Sequence, residues 1–326
     1  MTQKITKIAV LTSGGDSPGM NAAIRAVVRT GIYYGLEVYG IMRGYAGLVE
    51  GDIFKMESKS VANIIQRGGT ILKTARCKEF HTKEGRQKAY DNLRKIGIGG
   101  LIAIGGDGTF RGAQLFSSEF DIPCIGLPGT IDKDIDGTDF TIGFDTAVNT
   151  AVQAIDRLRD TADAHDRLFV IEVMGRDSGY IALHSGIATG AENILIPEKK
   201  SDINEIMASL QEKQRRKKLV NIIVVAEGGT YGAVELSKVI TENIPEQEVR
   251  VCILGHIQRG GAPTCLDRLI ASRMGYSAVE CLLEGRYNVF VGILNNSMHY
   301  IPLEKAVKQK QTVSDEWLKI VKILAS

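Results

Sequence analysis

The chain has 326 residues, 44% of them hydrophobic, and a formal net charge of +2, so it can bury one large or two smaller cores and lacks the basic surplus typical of nucleic-acid-binding proteins. Its five cysteines are widely spaced, with no C-x-x-C pair or histidine cluster, which predicts reduced thiols in a cytoplasmic protein rather than a zinc framework. No apolar run approaches the roughly 18–20 residues that span a bilayer, so we expect no membrane segment.

Short apolar runs alternate with helical stretches along the chain. Their hydrophobicity is continuous, which is typical of strands in a parallel sheet covered by helices on both faces. We therefore predict an α/β fold with two similarly built halves. The predicted strands are Ile8–Leu11, Val38–Ile41, Gly100–Ile104, Pro123–Leu127, Leu168–Val173, Asn193–Ile196, Asn221–Ala226, Val249–Leu254 and Val289–Ile293.

Several of these runs end in glycine turns: Ser13–Asp16, Gly105–Gly108 and Met174–Asp177. Open α/β sheets bind ligands at the carboxyl ends of their strands. The first turn opens a helix whose N–H groups could hold a phosphate, although a purely structural turn explains its glycines equally well. It matches neither the P-loop nor the G-x-G-x-x-G pattern, which disfavours a P-loop NTPase and an ordinary dinucleotide-binding dehydrogenase.

Carboxylates mark two positions in the first half. Asp107 lies within a glycine turn, where we expect it to meet a cation, and Gly108 leaves room beside it for a phosphate chain. Asp132 and Asp134 would project to one side of an extended segment, with Lys133 pointing away. The alternative is that each aspartate caps a turn. Proximity to a phosphate site favours the functional interpretation.

Arginines recur beside glycines or in special loops. An arginine in a glycine-bounded loop suits phosphate through its planar guanidinium, whereas a lone arginine is usually a surface charge. His256 shares such a loop with Arg259, which favours a sugar-phosphate contact over a core histidine. These arginines are Arg76, Arg176, Arg250 and Arg259.

Five segments match one known family in order and spacing, over essentially the whole chain. Through them the chain resembles the bacterial ATP-dependent 6-phosphofructokinases. The segments are Leu11–Asp16, Gly105–Gly108, Pro128–Asp132, Glu172–Arg176 and Gly255–Gly261.

The resemblance implies the phosphofructokinase fold, with two similar three-layer αβα (Rossmann-like) domains and largely parallel sheets. Residues 1–142 plus 257–307 would form the large, ATP-binding domain, and 143–256 plus 308–326 the small domain that binds fructose 6-phosphate. The implied reaction moves the γ-phosphoryl of MgATP to the 1-hydroxyl of fructose 6-phosphate in a cytoplasmic homotetramer.

Residue roles follow from the same resemblance. Asp132 would be the general base, with Asp134 a supporting acid and Thr130 beside it, and Arg176 would stabilise charge on the transferring group. Asp107 would meet Mg²⁺. The ATP site would comprise Gly15, Arg76, Cys77, Gly105, Gly106, Asp107, Gly108 and Thr109. The sugar phosphate would contact Thr130, Ile131, Asp132, Met174, Gly175, Arg176, Glu227, His256, Ile257, Gln258 and Arg259, with Arg167 and Arg250 from a neighbouring subunit.

The family's effector site, which binds ADP as activator and phosphoenolpyruvate as inhibitor, is matched less completely. Ser58, with Lys59 beside it, stands where an arginine is expected, which predicts weakened ADP activation. His81 likewise replaces an arginine near the ATP phosphates, although Arg86 remains, and Lys133 replaces asparagine. The implied effector residues are Arg25, Arg29, Arg159, Gly190, Ala191, Glu192, Arg216 and Lys218.

Three other functions compete with this one. A pyrophosphate-dependent phosphofructokinase usually carries an acid and a lysine where this chain has Gly108 and Gly129. NAD and diacylglycerol kinases share the G-G-D-G-T motif, but the Asp132/Asp134 pair and the His256–Arg259 loop fit a sugar phosphate better. A nucleotide-sensing subunit without activity is disfavoured by the intact Asp107.

Overall fold

The structure, a computed structural model, describes residues 5–215, 222–308 and 313–324. The chain divides into two compact units, Met1–Asp145 with Arg259–Gln311 and Thr146–Gln258 with Thr312–Ser326. Each unit contains its own sheet. Within the described ranges no helix is both long and apolar enough to cross a membrane. The assignment of ATP to one domain and fructose 6-phosphate to the other stays a prediction.

The described chain contains eleven strands and eleven α-helices, which alternate as far as β10 and are followed by β11, α10 and α11. The strands are β1 (Lys7–Thr12), β2 (Glu37–Ile41), β3 (Ile53–Met56), β4 (Gly100–Gly105), β5 (Cys124–Pro128), β6 (Leu168–Val173), β7 (Asn193–Leu195), β8 (Ile222–Ala226), β9 (Val249–Ile253), β10 (Val289–Leu294) and β11 (Ser297–Pro302). The helices are α1 (Met20–Tyr33), α2 (Tyr45–Glu50), α3 (Lys83–Ile96), α4 (Asp107–Phe120), α5 (Phe144–His165), α6 (Tyr180–Ala188), α7 (Ile203–Arg215), α8 (Ala233–Asn243), α9 (Cys265–Leu283), α10 (Leu303–Lys308) and α11 (Asp315–Leu324).

The first unit is built on a seven-stranded sheet in the order β11-β10-β5-β4-β1-β2-β3. Its five central strands run parallel, as their continuous hydrophobicity predicts. Since β1, β4 and β5 are parallel neighbours, their carboxyl ends meet at one edge of the sheet. The segments that follow these three strands are therefore brought together.

Alternate residues of β1 point into two different apolar clusters. Ile8 and Val10 pack with α1 and α9 on one face of the sheet. Ala9 and Leu11 pack with α2, α3 and α4 on the other face. Burial on both faces makes three layers and explains why these strands are apolar at every position.

The second unit contains a four-stranded sheet in the order β7-β8-β6-β9, with every pair parallel. Leu168 and Val170 of β6 pack against α7 and α8, and α6 also packs against the sheet. Val173 pairs with Ala226, and Glu172 pairs with Ile253. The segments after β6, β8 and β9 are consequently neighbours. The predicted α/β fold class is confirmed.

The sequence analysis did not predict two of the strands, β3 and β11. Both are antiparallel and lie at the two edges of the first sheet. Their side chains are largely exposed or half-buried, so neither strand shows the continuous apolar run that marks the central strands. The nine predicted strands are all present, with β8 described from Ile222 onward.

Candidate functional site

Backbone hydrogen bonds join the segments that follow β1, β4 and β5. The N–H of Ser13 donates to the Ile104 carbonyl at 3.0 Å, and that of Gly129 donates to the Gly105 carbonyl at 3.0 Å. Thr109 Oγ1 donates to the Ser13 carbonyl at 3.0 Å. The sequence motifs thus form one continuous surface, the three-strand edge, which comprises residues 13–16, 105–109 and 129–134.

A loop of the same unit lies against this edge. Thr74 Oγ1 donates to the Gly14 carbonyl at 2.7 Å. Arg76, which is exposed, and Cys77, which is half-buried, follow directly in the chain. The structure therefore places the loop that carries these two predicted ATP-site residues beside the turn that carries Gly15.

Asn21 holds the preceding part of that loop, and the sequence motifs did not identify it. Its amide nitrogen donates to the Arg67 carbonyl at 3.0 Å, and its Oδ1 accepts from the Ile71 N–H at 2.8 Å. Asn21 is 1% exposed. A single polar residue in the otherwise apolar first turn of the helix was the available signal, because a buried asparagine must find hydrogen-bond partners.

Asp107 is the first residue of α4 and is half-buried. Its Oδ1 accepts the N–H of Gly108 at 2.6 Å. A Cβ at Gly108 would face open space, whereas one at Gly105 would lie 2.3 Å from Thr109 Oγ1. Glycine at 105 is therefore required by packing, and glycine at 108 leaves the space beside the carboxylate empty.

The segment around Asp132 is not extended, so the geometry predicted for it was wrong. Lys133 has φ of 51°, in the left-handed region. Ile131 and Asp132 are consecutive and both buried, whereas successive residues of a strand with one buried face would alternate between buried and exposed. The N–H of Asp132 donates to Thr130 Oγ1 at 3.2 Å, a local contact that favours a turn. Asp132 is 4% exposed, and Asp134 is half-buried.

Lys133 makes a cation–π contact in this turn. Its Nζ lies 5.3 Å from the centre of the Phe144 ring. Burial lowers the pKa of the Lys133 ammonium, and the carboxylate of Asp139 opposes that shift. The side chain is thus held by an aromatic ring of its own unit.

We expect Lys133→Asn to change kcat by less than about tenfold, because the ammonium is held at the Phe144 ring. Steady-state kinetics between pH 6 and 9 measures the change. Lys133→Met, which keeps an apolar side chain to pack against the ring, is the matched control. If the acidic limb of the plot of kcat against pH moved by a full pH unit in Lys133→Asn, Lys133 would be acting on the reacting groups.

In the second unit, Glu227 holds the segment that follows β6. Its Oε1 accepts the N–H groups of Gly175 at 3.2 Å and Arg176 at 2.9 Å. Arg176 has φ of 52°, a left-handed conformation that is unusual for arginine, and its side chain is exposed. Met174 is buried. These predicted sugar-phosphate residues therefore lie together, as the pairing of β6 with β8 requires.

The segment after β9 forms a short 3₁₀ helix, Gly255–Arg259. His256 and Ile257 are exposed, whereas Gln258 is buried and its Nε2 donates to the Gly255 carbonyl at 3.1 Å. His256 to Gln258 belong to the second unit, and Arg259 belongs to the first. The predicted sugar-phosphate residues are accordingly divided between the two units.

Arg167 and Arg250 share one carboxylate, that of Glu248. Arg167 Nε lies 3.0 Å from Glu248 Oε2, a charge contact without hydrogen-bond alignment, and Arg250 Nη2 pairs with Glu248 Oε1. Arg167, and then Arg250, lower the pKa of Glu248. The motifs did not identify Glu248. Its position two residues before Arg250 in the chain was the available signal.

The first unit contains four of the predicted effector residues. Arg25 and Arg29 lie on α1, which packs against the 3₁₀ helix Ser58–Val61. Lys59 Nζ pairs with Glu57 Oε2 at 3.0 Å. An open groove of about 450 Å³ borders Ser58 and Lys59. Lys59 thus forms an exposed ion pair with its own neighbour, and its part in effector binding stays a prediction.

The second unit contains the others that the structure describes. Arg159 Nη2 donates to the Thr189 carbonyl at 2.7 Å and to the Gly190 carbonyl at 3.2 Å. Arg159 Nη1 lies 3.7 Å from Glu192 Oε1. Ala191 is buried beside them. Arg216 and Lys218 lie outside the described residues.

Arg86, which the resemblance leaves near the ATP phosphates, is engaged in contacts within its own unit. Its Nε and Nη2 donate to the two carboxylate oxygens of Glu119 at 2.6 and 2.7 Å, and its Nη1 donates to the Phe80 carbonyl at 2.9 Å. Arg86 is 7% exposed. To bind a phosphate, this guanidinium would have to give up these hydrogen bonds, which would leave the Glu119 carboxylate unpaired.

Comparison with known proteins agrees with these motifs. The sequence model described as Phosphofructokinase matches residues 7–282. The ATP-dependent 6-phosphofructokinase of Halalkalibacterium halodurans is 58% identical over 307 residues, covering 94% of this chain and 95% of that protein. The ATP-dependent 6-phosphofructokinase 2 of Bacteroides thetaiotaomicron is 52% identical over 319 residues, covering 98% of each chain.

Solved structures show the same architecture. Phosphofructokinase from Saccharomyces cerevisiae superimposes with a TM-score of 0.89 and 39% identity, over 93% of this chain and 45% of that chain. The pyrophosphate-dependent phosphofructokinase from Marinobacter aquaeolei superimposes with a TM-score of 0.87 over 99% of this chain and 92% of that chain. Its 20% identity supports the fold alone.

Proposed function

The chain belongs to the phosphofructokinase family, and from that premise we propose that it transfers the γ-phosphoryl group of MgATP to the 1-hydroxyl of fructose 6-phosphate. The products would be fructose 1,6-bisphosphate and ADP. The observation that carries the proposal is the three-strand edge, where glycine turns, the Asp107 carboxylate and the buried Asp132 belong to one surface. Phosphoryl transfer needs little more than positioning, electrostatic stabilisation and a base.

Asp132 would act as the general base. It follows Thr130 in a turn that a side-chain hydrogen bond holds at 3.2 Å. Because Asp132 is buried, water has little access to its carboxylate, and a proton received from the 1-hydroxyl would stay on Asp132. Thr130 fixes the backbone of this turn, and Asp134 supplies a second carboxylate two residues further on.

Arg176 would stabilise the negative charge that develops on the transferring group. Its backbone is held in a left-handed conformation by Glu227, which fixes the direction in which the side chain leaves the backbone. A guanidinium offers planar donors that fit phosphoryl oxygens. Arg176 would thus act through its position and its charge, and the reaction needs no covalent intermediate.

Asp107 suits Mg²⁺ as the ion that accompanies ATP. Among the described residues no three or more His, Cys, Asp or Glu side chains form a metal cage. Mg²⁺ usually keeps several waters and takes one or two carboxylates plus substrate phosphates, so a single half-buried carboxylate beside open space fits that requirement. When bound, the ion would neutralise phosphate charge.

The phosphoryl donor would be ATP rather than pyrophosphate. The space beside Gly108 is open for a nucleotide phosphate chain. A Cβ at Gly129 would lie 3.0 Å from both Ile104 Cγ2 and Met20 Cε, so the lysine of the pyrophosphate-dependent enzymes would require both side chains to shift by a few tenths of an ångström. The two glycines therefore disfavour the pyrophosphate-dependent alternative for different physical reasons.

Steady-state assays of the purified protein with fructose 6-phosphate and either ATP or pyrophosphate test the proposal. We expect turnover with ATP alone. Gly108→Asp, which has space to fold, should raise the KM for ATP because its carboxylate repels the phosphate chain. Turnover with pyrophosphate but not ATP would contradict the donor assignment. Absence of any turnover without a partner protein would favour the nucleotide-sensing alternative.

Assembly and regulation belong to the same proposal. In a homotetramer, Arg167 and Arg250 would reach the sugar phosphate of a neighbouring subunit, and both would then exchange Glu248 for phosphate oxygens. ADP would activate and phosphoenolpyruvate would inhibit at the effector residues. A cytoplasmic location agrees with the free thiols at Cys77, Cys124, Cys252, Cys265 and Cys281.

We expect Ser58→Arg to strengthen activation by ADP, because it restores a guanidinium on the 3₁₀ helix that packs against α1. The activation constant for ADP, measured at subsaturating fructose 6-phosphate, should fall several-fold. Lys59→Ala is the control and should change it little, since Lys59 already pairs with Glu57. An unchanged constant in Ser58→Arg would show that this position does not limit ADP binding.

A further inference from the structure

The guanidinium of Arg259 lies against the glycine turn that follows β1. Its Nη1 donates to the Asp16 carbonyl at 3.2 Å. A Cβ placed on Gly15 would lie only 2.4 Å from that Nη1 and 3.1 Å from Cζ. All three residues belong to the first unit. The Arg259 guanidinium therefore occupies the space that a side chain at position 15 would fill.

The backbone does not require glycine at position 15. Gly14 has φ of 86°, a left-handed conformation that strains any other residue, whereas Gly15 has no such angle. A Cβ placed on Gly108, which also belongs to the three-strand edge, would meet open space. Among these three glycines of the three-strand edge, Gly15 is the one whose missing side chain is explained by an arginine.

We infer that Gly15 is a positioning residue for the acceptor: together with the Asp16 carbonyl it seats the Arg259 guanidinium where it meets the sugar phosphate. The inference rests on the proposed function, which assigns Arg259 to fructose 6-phosphate. It adds a second role to a glycine that the motif assigns to ATP. The carbonyl orients one N–H of the guanidinium, and the remaining donors stay available to phosphate oxygens.

The test is Gly15→Ala, with fructose 6-phosphate and a non-hydrolysable ATP analogue titrated separately by calorimetry. The added methyl group must displace the flexible end of Arg259. We expect the Kd for fructose 6-phosphate to rise by roughly ten- to hundredfold, the usual cost of a charge-assisted hydrogen bond. The Kd for the analogue should rise by a smaller factor than the Kd for fructose 6-phosphate, because the displaced guanidinium is assigned to the sugar phosphate. Gly108→Ala, on the nucleotide side of the edge, should show the opposite pattern.

A double-mutant cycle separates steric displacement from damage to the turn. Once Arg259→Ala has removed the guanidinium, adding Gly15→Ala should weaken fructose 6-phosphate binding less than about twofold further. If Gly15→Ala alone does not fold, the double variant should, because the clash is gone. The inference would be overturned if the two substitutions weakened fructose 6-phosphate binding independently, or if the double variant did not fold. It would also be overturned if Gly15→Ala lost affinity for the nucleotide and kept its affinity for fructose 6-phosphate. Wild-type turnover with ATP checks the proposed function separately.

Discussion

Replacing Asp132 by serine is expected to lower kcat by about 10²–10⁴-fold while fructose 6-phosphate still binds. A positioned base acts on the transition state, where the hydroxyl proton is leaving, and contributes less to ground-state binding. Asp132 is buried in a turn fixed by Thr130, so serine can occupy the position without a change of backbone. Steady-state kinetics combined with calorimetric titration of fructose 6-phosphate measures both quantities.

Asp136→Ser provides the matched control in the same segment. Asp136 is half-buried, lies in the following turn and faces Lys305 Nζ at 4.0 Å. Its loss removes one weak ion pair, so kcat should stay within a few-fold of the wild type. Near-wild-type turnover in Asp132→Ser would reject the base assignment. Equal losses in both variants would instead indicate that the segment is sensitive to any change.

Arg86→Ala is expected to lower the free energy of unfolding by about 2–4 kcal/mol, because it removes a nearly buried guanidinium and leaves the carboxylate of Glu119 without its two hydrogen bonds. Lys88→Ala is the control on the same helix. Its ion pair with Glu79 is exposed and should contribute little. Urea unfolding followed by circular dichroism measures the difference, and an equal midpoint for both variants would contradict it.

The Arg86–Glu119 pair also predicts a pH dependence. The hydrogen bond from Arg86 lowers the pKa of Glu119 in the folded protein. Stability from this shift is present above the ordinary glutamate pKa and is lost as the pH falls through the lowered value. The difference in unfolding free energy between wild type and Arg86→Ala should therefore shrink on acidification. A difference that grows toward low pH would show that Glu119 is not the stabilised group.

The central strands could be predicted because each carries its own evidence. Every residue of β4 is buried, so its apolar run reports the environment of both faces. The edge strands β3 and β11 carry no such signal, since each pairs on one side only and much of its surface meets solvent. Their existence is decided by the neighbours that they pair with, β2 and β10.

The turn at Lys133 shows a second limit of sequence patterns. Two aspartates on alternate residues are equally compatible with a strand and with a turn, and here the hydroxyl of Thr130 and the burial of Ile131 decide for the turn. Arg86 gives the same lesson. Sequence position left it available to a phosphate, but Glu119, which is 33 residues away, holds its guanidinium.

The sequence by itself determined the α/β class, the parallel central strands and the glycine and aspartate segments at their carboxyl ends. These features are local: burial on both faces requires an apolar run, and a close turn requires glycine. Only the tertiary structure decided which distant residues meet, such as the Arg259 side chain with the backbone turn at Gly15, or Arg167 with Glu248. Those partners come from segments far apart in the chain, and their contacts depend on how parallel strands align and where loops cross the sheet edge.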